Sequence, residues 1–228
     1  MAIPGYLAMT PARIRAARTL PRGLAWMSCR FSDRGLLDLP RRLPEGSLLV
    51  LEDSVPLSDP DAAARQLGET AESLRLSGVL LDFQKAVDPA LSRFAAGLSL
   101  PCPVAVSEAY SSFTDGPVFL DLVPASERLS DHCRPYRGRE LWLELGPGAQ
   151  VITVTREGAQ VSVPRHPLPP CPHGDLELCC HYGLELQEDR AVFTLFRSQV
   201  DLRALLGEAE DLGVTRYVGL FGDLPGLL

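Results

Sequence analysis

Short apolar runs, each closing on polar or turn residues, recur at Gly5–Met9, Gly23–Cys29, Ser47–Leu51, Gly78–Phe83, Pro103–Val106, Pro117–Leu122, Leu141–Leu145 and Tyr217–Phe221. Runs of this length with helical patterns between most of them predict parallel strands. Eight of them predict an α/β fold, a (β/α)8 TIM-like barrel, rather than a sandwich. Two intervening helices carry start signals. Ser58-x-x-Asp61 with Pro60 opens a segment whose Ala63, Leu67, Ala71 and Leu74 form one stripe. Ser198-x-x-Asp201 opens another, with Leu202, Leu205, Leu206 and Ala209 inward and Gly213 as its stop. The helix pattern is weaker between Asp121 and Glu140, where Pro135 and Gly138 interrupt it, and the crossover from Pro103 to Pro117 leaves little room for a helix.

From Gly146 to Arg197 the pattern changes period. Val151–Thr155, Gln160–Val163, Leu176–Leu186 and Ala191–Phe196 read as strands, with turns at 156–159 and 187–190 and five prolines between Pro164 and Pro172. The expected organisation is one barrel domain over 1–228, carrying a small antiparallel β-hairpin insertion over 147–196 near the C-terminus.

Composition narrows the function classes. The 228 residues are 46% hydrophobic and 22% charged, ordinary for a globular fold with a full core. A net charge of −7 argues against nucleic-acid binding, which needs a basic surface. No stretch reaches the roughly 20 apolar residues that span a bilayer, and Met1 to Leu20 lacks a signal-peptide pattern. The expectation is a cytoplasmic protein without membrane or nucleic-acid partners, whose six cysteines are thiols. No phosphate-cradling G-x-G-x-x-G, Walker loop or Ser-His-Asp signature occurs, so no cofactor is expected. Cys171, His173, Cys179, Cys180 and His181, with His166 nearby, include residue types that suit zinc, and Cys179 and His181 would share a strand face. Their spacing matches no standard zinc motif, and buried thiols are the reading adopted, with no metal assigned.

The candidate chemistry gathers at strand ends. Asp82 and Gln84 are two residues apart, so a strand presents both on one face, and at the carboxyl end of a barrel strand that face looks into the catalytic mouth. Glu52 and Asp53, Glu108 and Tyr110, Asp121, Glu144 and Asp223 follow other runs. A barrel would collect several of them, and crowded carboxylates raise one another's pKa. Glu108, placed on one strand face with Tyr110, and Glu144 are candidate acids. Glu52, Asp53, Tyr110, Asp121 and Trp142 are candidate ligand contacts, Trp142 as a ring that stacks on a sugar or, alternatively, as core.

The residues Ser77, Gly78, Leu80, Asp82, Phe83 and Gln84 resemble the fourth-strand motif D-G-x-D-x-D-x-E of the chitinase-type glycoside hydrolases (family eighteen) and their spore-cortex relatives. Gly78, Asp82 and an aromatic at 83 are kept; the first two acids and the terminal glutamate are not. The run from Phe193 through the Ser198 cap and Leu212-Gly213 to Phe221 is similar to the family's closing strand, helix and strand. The resemblance implies that position 84 would protonate the leaving glycosidic oxygen, position 82 would orient the substrate's N-acetyl group, and that acetamide would be the nucleophile, an exception to the two-carboxylate scheme. An amide has no proton to give near neutral pH, so Gln84 disables that mechanism. Three readings remain. One is a chitinase-like barrel that binds a glycan or peptidoglycan fragment without turnover. Another is a hydrolase with a relocated acid at Glu108 or Glu144. The last is a structural or interaction protein. A carbohydrate is the expected ligand, and the oligomeric state is open.

Overall fold

The computed structural model describes residues 3–165 and 167–220. Eight parallel strands close a barrel: β1 (Gly5–Met9), β2 (Leu24–Ser32), β4 (Leu48–Glu52), β5 (Gly78–Asp82), β6 (Val104–Ser107), β7 (Val118–Leu120), β8 (Leu141–Glu144) and β14 (Val214–Leu220). Closure comes from β1, which pairs with both β2 and β14. A short strand, β3 (Gly35–Leu37), folds back antiparallel on β2. All eight barrel strands fall on the apolar runs, because each is covered on both faces and so needs no polar alternation. Phe221 and the 222–226 tail, with Asp223, lie outside the described residues.

The crossovers are uneven. The helix α1 (Pro11–Ala16) is short, whereas α2 (Pro60–Ser73) buries Ala63, Leu67 and Ala71 against the barrel. Its cap is Asp59, whose carboxylate accepts the Ala62 N–H at 2.9 Å, not the expected Ser58. Asp59 stands immediately before Pro60, the first helical residue, so its oxygen reaches the amide of the third, Ala62. The helix α3 (Pro89–Gly97) is capped in the same way by Asp88. After β6 the crossover is only a 3-10 turn, Glu108–Phe113, and between β7 and β8 it shrinks to α4 (Leu129–Cys133) and a further turn. The last helix, α5 (Gln199–Asp211), has the expected capping box: the Ser198 hydroxyl accepts the Asp201 N–H while Asp201 accepts the Ser198 N–H. Gly213 ends it at φ +87°.

Inward residues of the strands stack in layers. Trp142, fully buried, fills the floor beside Leu48, with Val50, Leu80, Ala105, Phe119 and Val218 above. Gly78 is required there, since a Cβ would lie 2.5 Å from the Trp142 Cη2 atom. Between β8 and α5 the chain builds a five-stranded antiparallel sheet, larger than the expected hairpin. Its strands are β9 (Gln150–Thr155), β10 (Gly158–Ser162), β11 (His173–Asp175), β12 (Cys180–Leu186) and β13 (Arg190–Phe196), in the order β10-β9-β13-β12-β11. The expected strand at 176–186 is broken, because Cys179 takes a left-handed φ of +47° and leaves 173–175 to pair separately. Arg197, only 2% exposed, ties this sheet to the barrel by donating to the carbonyls of Val123, Pro124, Glu127 and Leu178.

Candidate functional site

The carboxyl ends of β4, β5, β7 and β8 bring Glu52, Asp82, Asp121 and Glu144 toward the barrel mouth. Parity sets the direction: Leu48 and Val50 fill the interior and Glu52 continues their face, as Asp82 continues Leu80, Asp121 continues Phe119 and Glu144 continues Trp142. Glu52 is paired in register with Asp82 across β4 and β5. Gln84 stands one step beyond Asp82 and reaches back over it. Its Nε2 donates to Asp82 Oδ1, and its amide also pulls the pKa of the Asp121 carboxyl downward. A neutral amide has N–H groups to offer a carboxylate, which an ionised glutamate at the same place would not have.

Burial and, secondarily, neighbouring charge shape the ionisation of the mouth. Burial pushes the Asp82 carboxyl above its ordinary value, and Asp121, Asp53 and Glu52 push in the same direction, while the Gln84 hydrogen bond pulls it back. Burial also raises Asp121, and Gln84 pulls it back. Glu108, at the start of the turn after β6, is raised by burial and by Asp121 and lowered by His132. Glu144 accepts the Leu122 N–H at 3.2 Å, which braces the loop after β7. Beneath these groups lies a cavity of about 50 Å³, bounded by Met27, Leu80, Asp82, Phe119 and Glu144 among others. Larger clefts, of about 250 Å³ between α2 and α3 and about 420 Å³ beside the α3–β6 connection, lie on the outside of the barrel, each with one carboxylate on its wall.

Three expected contacts stand elsewhere. Asp53, next to Glu52, has the opposite parity and is buried; its two oxygens accept the backbone N–H groups of Gln84 at 3.2 Å and Lys85 at 3.1 Å. It shapes the turn that holds Gln84 over Asp82 and is a positioning residue. Lys85, which the sequence pattern does not single out, turns its ammonium toward the Asp53 and Ser54 carbonyls and away from the mouth. Tyr110 does not share a strand face with Glu108, because both lie in the 3-10 turn. It packs outside the barrel with its ring 5.2 Å from Phe83, and its hydroxyl accepts the Asp88 N–H at 3.0 Å. Trp142 is 0% exposed and offers no face to a sugar: the Arg216 guanidinium covers its ring at 4.6 Å and Glu140 takes its indole N–H at 2.9 Å.

Among the described residues, no three His, Cys, Asp or Glu side chains converge as a metal site. His181 pairs with Asp201 at 2.6 Å, the His173 ring lies 5.1 Å from that of Tyr182, and burial pushes the Cys180 thiol up to about 11. Cys179 sits in the turn before β12 and so shares no strand face with His181. His166 lies outside the described residues. No described helix is long and apolar enough to cross a membrane.

No protein-family model matches the sequence, and no curated protein matches it. Solved structures do match the fold. The spore cortex-lytic enzyme SleL of Bacillus cereus superposes with a TM-score of 0.57 at 11% identity, over 98% of this chain and 71% of its own. A glycoside hydrolase family 18 N-acetylglucosaminidase from Paenibacillus barengoltzii superposes with a TM-score of 0.59 at 8% identity, over 96% and 95%. A family 18 chitinase from Cycas revoluta, in a doubly substituted form with one glutamate changed to glutamine and in complex with (GlcNAc)4, gives 0.58 at 9%, over 95% and 94%. The fold is therefore that of a chitinase-type TIM barrel with an added antiparallel β-sheet.

Proposed function

We propose that the protein is a chitinase-like barrel whose acidic mouth binds an N-acetylglucosamine-containing glycan, such as a chitin oligomer or peptidoglycan fragment, without hydrolysing it by the family's usual route. The Gln84 amide, whose Nε2 donates to Asp82, carries this reading. An amide cannot protonate a leaving oxygen, yet it retains a carbonyl acceptor, and the carboxylates beside it accept sugar hydroxyl or amide N–H donors. Loss of an ionisable group need not remove binding: the Cycas chitinase was crystallised with its (GlcNAc)4 in a form that carries a glutamate-to-glutamine change. The cavity beneath Gln84, about 50 Å³, has room for one or two waters at about 30 Å³ each. A sugar chain would accordingly lie across the mouth and present its N-acetyl group downward.

Titration calorimetry with N-acetylglucosamine oligomers tests this reading. Binding in the micromolar to millimolar range is expected, weakened about tenfold or more in Asp82→Ala by loss of a charge-assisted hydrogen bond. Heats indistinguishable from dilution for every oligomer would end the glycan reading.

A second reading, hydrolysis with a relocated acid, is favoured by one observation: the Glu108 carboxyl is raised by burial and by Asp121, toward the range in which an acid donates protons near neutral pH. Aryl-glycoside turnover abolished by Glu108→Gln would establish it. Turnover that survives both Glu108→Gln and Glu144→Gln would remove both candidate acids.

A further inference from the structure

A closed barrel has no sheet edges, but the five-stranded sheet has two, and they are protected unequally. The β11 edge is three residues long. The β10 edge runs five residues, Gly158–Ser162, every one of them exposed. It contains none of the devices that guard an edge: no lysine, no proline, no inward charge. Val161 is 59% exposed and Val163, just beyond, 84%. The apolar row to which Val161 belongs continues through Ile152 and Phe193 to Leu184, directly opposite one another in register. The other face of the sheet meets the proline-rich loop, since a Cβ on Gly183 would lie 2.6 Å from the Pro170 carbonyl.

Register says which partner fits. The β9–β10 hairpin closes on Thr155 opposite Gly158. A two-residue turn closes on a hydrogen-bonded pair, so the alternation turns the N–H and C=O groups of Ala159 and Val161 outward. We propose that β10 pairs antiparallel with β10 of a second copy of this chain, about a twofold axis at Gln160. In that register Ala159 faces Val161 of the other copy and each exchanges both backbone hydrogen bonds, using all four outward groups. Gly158 then opposes Ser162, and Glu157 opposes Val163 with Arg165 as its diagonal neighbour. Glu157 and Arg165 are both exposed and form no ion pair among the described residues, so the twofold sets two opposite-charge contacts at the two ends of the strand. The interface is isologous and self-complementary in backbone, shape and charge. A single edge of five residues buries less than the roughly 1,200 Å² of a stable complex, so the dimer is weak and concentration-dependent.

Sedimentation equilibrium of the full chain tests the pairing. From about 10 to about 500 µM, the range of a small transient interface, the average mass should rise from 24.8 kDa toward twice that value. Val161→Lys, at a mostly exposed position whose monomer fold is checked by circular dichroism and melting, should hold the protein monomeric throughout. Arg165→Glu should weaken the dimer about threefold to tenfold, and adding Glu157→Arg should restore it, because the swap recreates both contacts in reverse. A wild-type protein that stays monomeric over the range, a dimer indifferent to Val161→Lys, or a swap that fails to restore association would each overturn the proposal.

Discussion

The floor and the mouth of the barrel are built by the same strands a few residues apart, and they follow opposite rules. On β5 the inward residues run Gly78, Leu80, Asp82; on β8 they run Trp142, Glu144. At the floor every polar group named has a partner. The Trp142 indole donates to Glu140, and the Arg216 guanidinium, lying over the ring, donates to the Ser77 carbonyl at 2.6 Å. At the mouth, burial raises Asp82, Glu108 and Asp121 above their ordinary values, neighbouring carboxylates add to the first two, and one neutral amide donates to Asp82. The difference teaches that stability resides in the layers below Asp82, while the rim above is held in an arrangement that its own electrostatics disfavour. Such a division is what a binding or catalytic mouth on a rigid barrel looks like in energetic terms.

Removing the floor should produce the largest effect. Trp142→Ala takes out the central side chain of a closed interior and should cost about 3–5 kcal/mol in urea denaturation. Gly78→Ala forces a methyl group to 2.5 Å from the same ring, in a place where neither Trp142 nor Leu48 has free space, and should cost about 1–3 kcal/mol. A floor that tolerates both changes with less than about 0.5 kcal/mol of loss would erase the contrast with the mouth.

Why the floor and the mouth were unequally legible in the sequence follows from burial. The eight strands stand out because each is a short apolar run, and β5 and β8 are found within one residue of their ends. In a barrel, however, both faces of a strand are covered, one by the interior and one by helices, so hydrophobicity alone does not tell inside from outside. Register does, and it separates neighbours that look equivalent: Glu52 points to the mouth while Asp53 folds the 84–85 turn. Tyr110 and Trp142 have aromatic character suited to a sugar, yet packing against Phe83 and beneath Arg216 claims them. The helix α3 does not stand out in the sequence although Asp88-Pro89 is a sound start signal, because its nine residues offer only about two and a half turns of periodicity. Arg197 carries no sequence signature at all; its role exists only where four carbonyls from distant segments converge.

At the mouth, removing a charge should help rather than harm. The folded-state pKa of Asp82 is raised, so the folded protein binds more protons than the unfolded chain between the ordinary aspartate value and the raised one. Stability therefore falls as pH rises through that interval. Asp82→Asn removes the penalty and should raise the melting temperature at pH 7. The gain is below about 1 kcal/mol because the group is partly solvated, and it should shrink toward zero near pH 4. Asp201, lowered by its hydrogen bonds to Ser198 and His181, gives the opposite sign: its contribution is present at neutral pH and is lost as pH falls through the lowered value. A melting-temperature profile for Asp82→Asn that runs parallel to wild type from pH 4 to pH 8 would mean that the mouth is not charge-strained.

The smallest change in structure addresses position 84. Gln84→Glu is nearly isosteric, but beside Asp82 and Asp121 it replaces an amide that donates to Asp82 with a third carboxyl group. Two consequences follow together. Ionised, the new group repels both neighbours and leaves Asp82 without its donor; protonated, it has one O–H to give where the amide has two N–H donors. Its pKa should therefore be raised, since ionisation is disfavoured by the negative charges already there. Above that value the variant should be slightly less stable than wild type, by less than about 1 kcal/mol for a side chain this exposed, and the deficit should close on acidification. Carboxyl titration by carbon-13 NMR of labelled glutamate reads the shift directly. If the new carboxyl titrates at an ordinary glutamate value, position 84 does not share the crowded mouth. If it is raised, the variant holds a proton donor beside Asp82, and incubation with chitin oligomers asks whether trace hydrolysis follows. Full activity is not expected, because Ser77 hydrogen-bonds Tyr6 at the floor and Leu80 fills the interior where the resembling motif has acids.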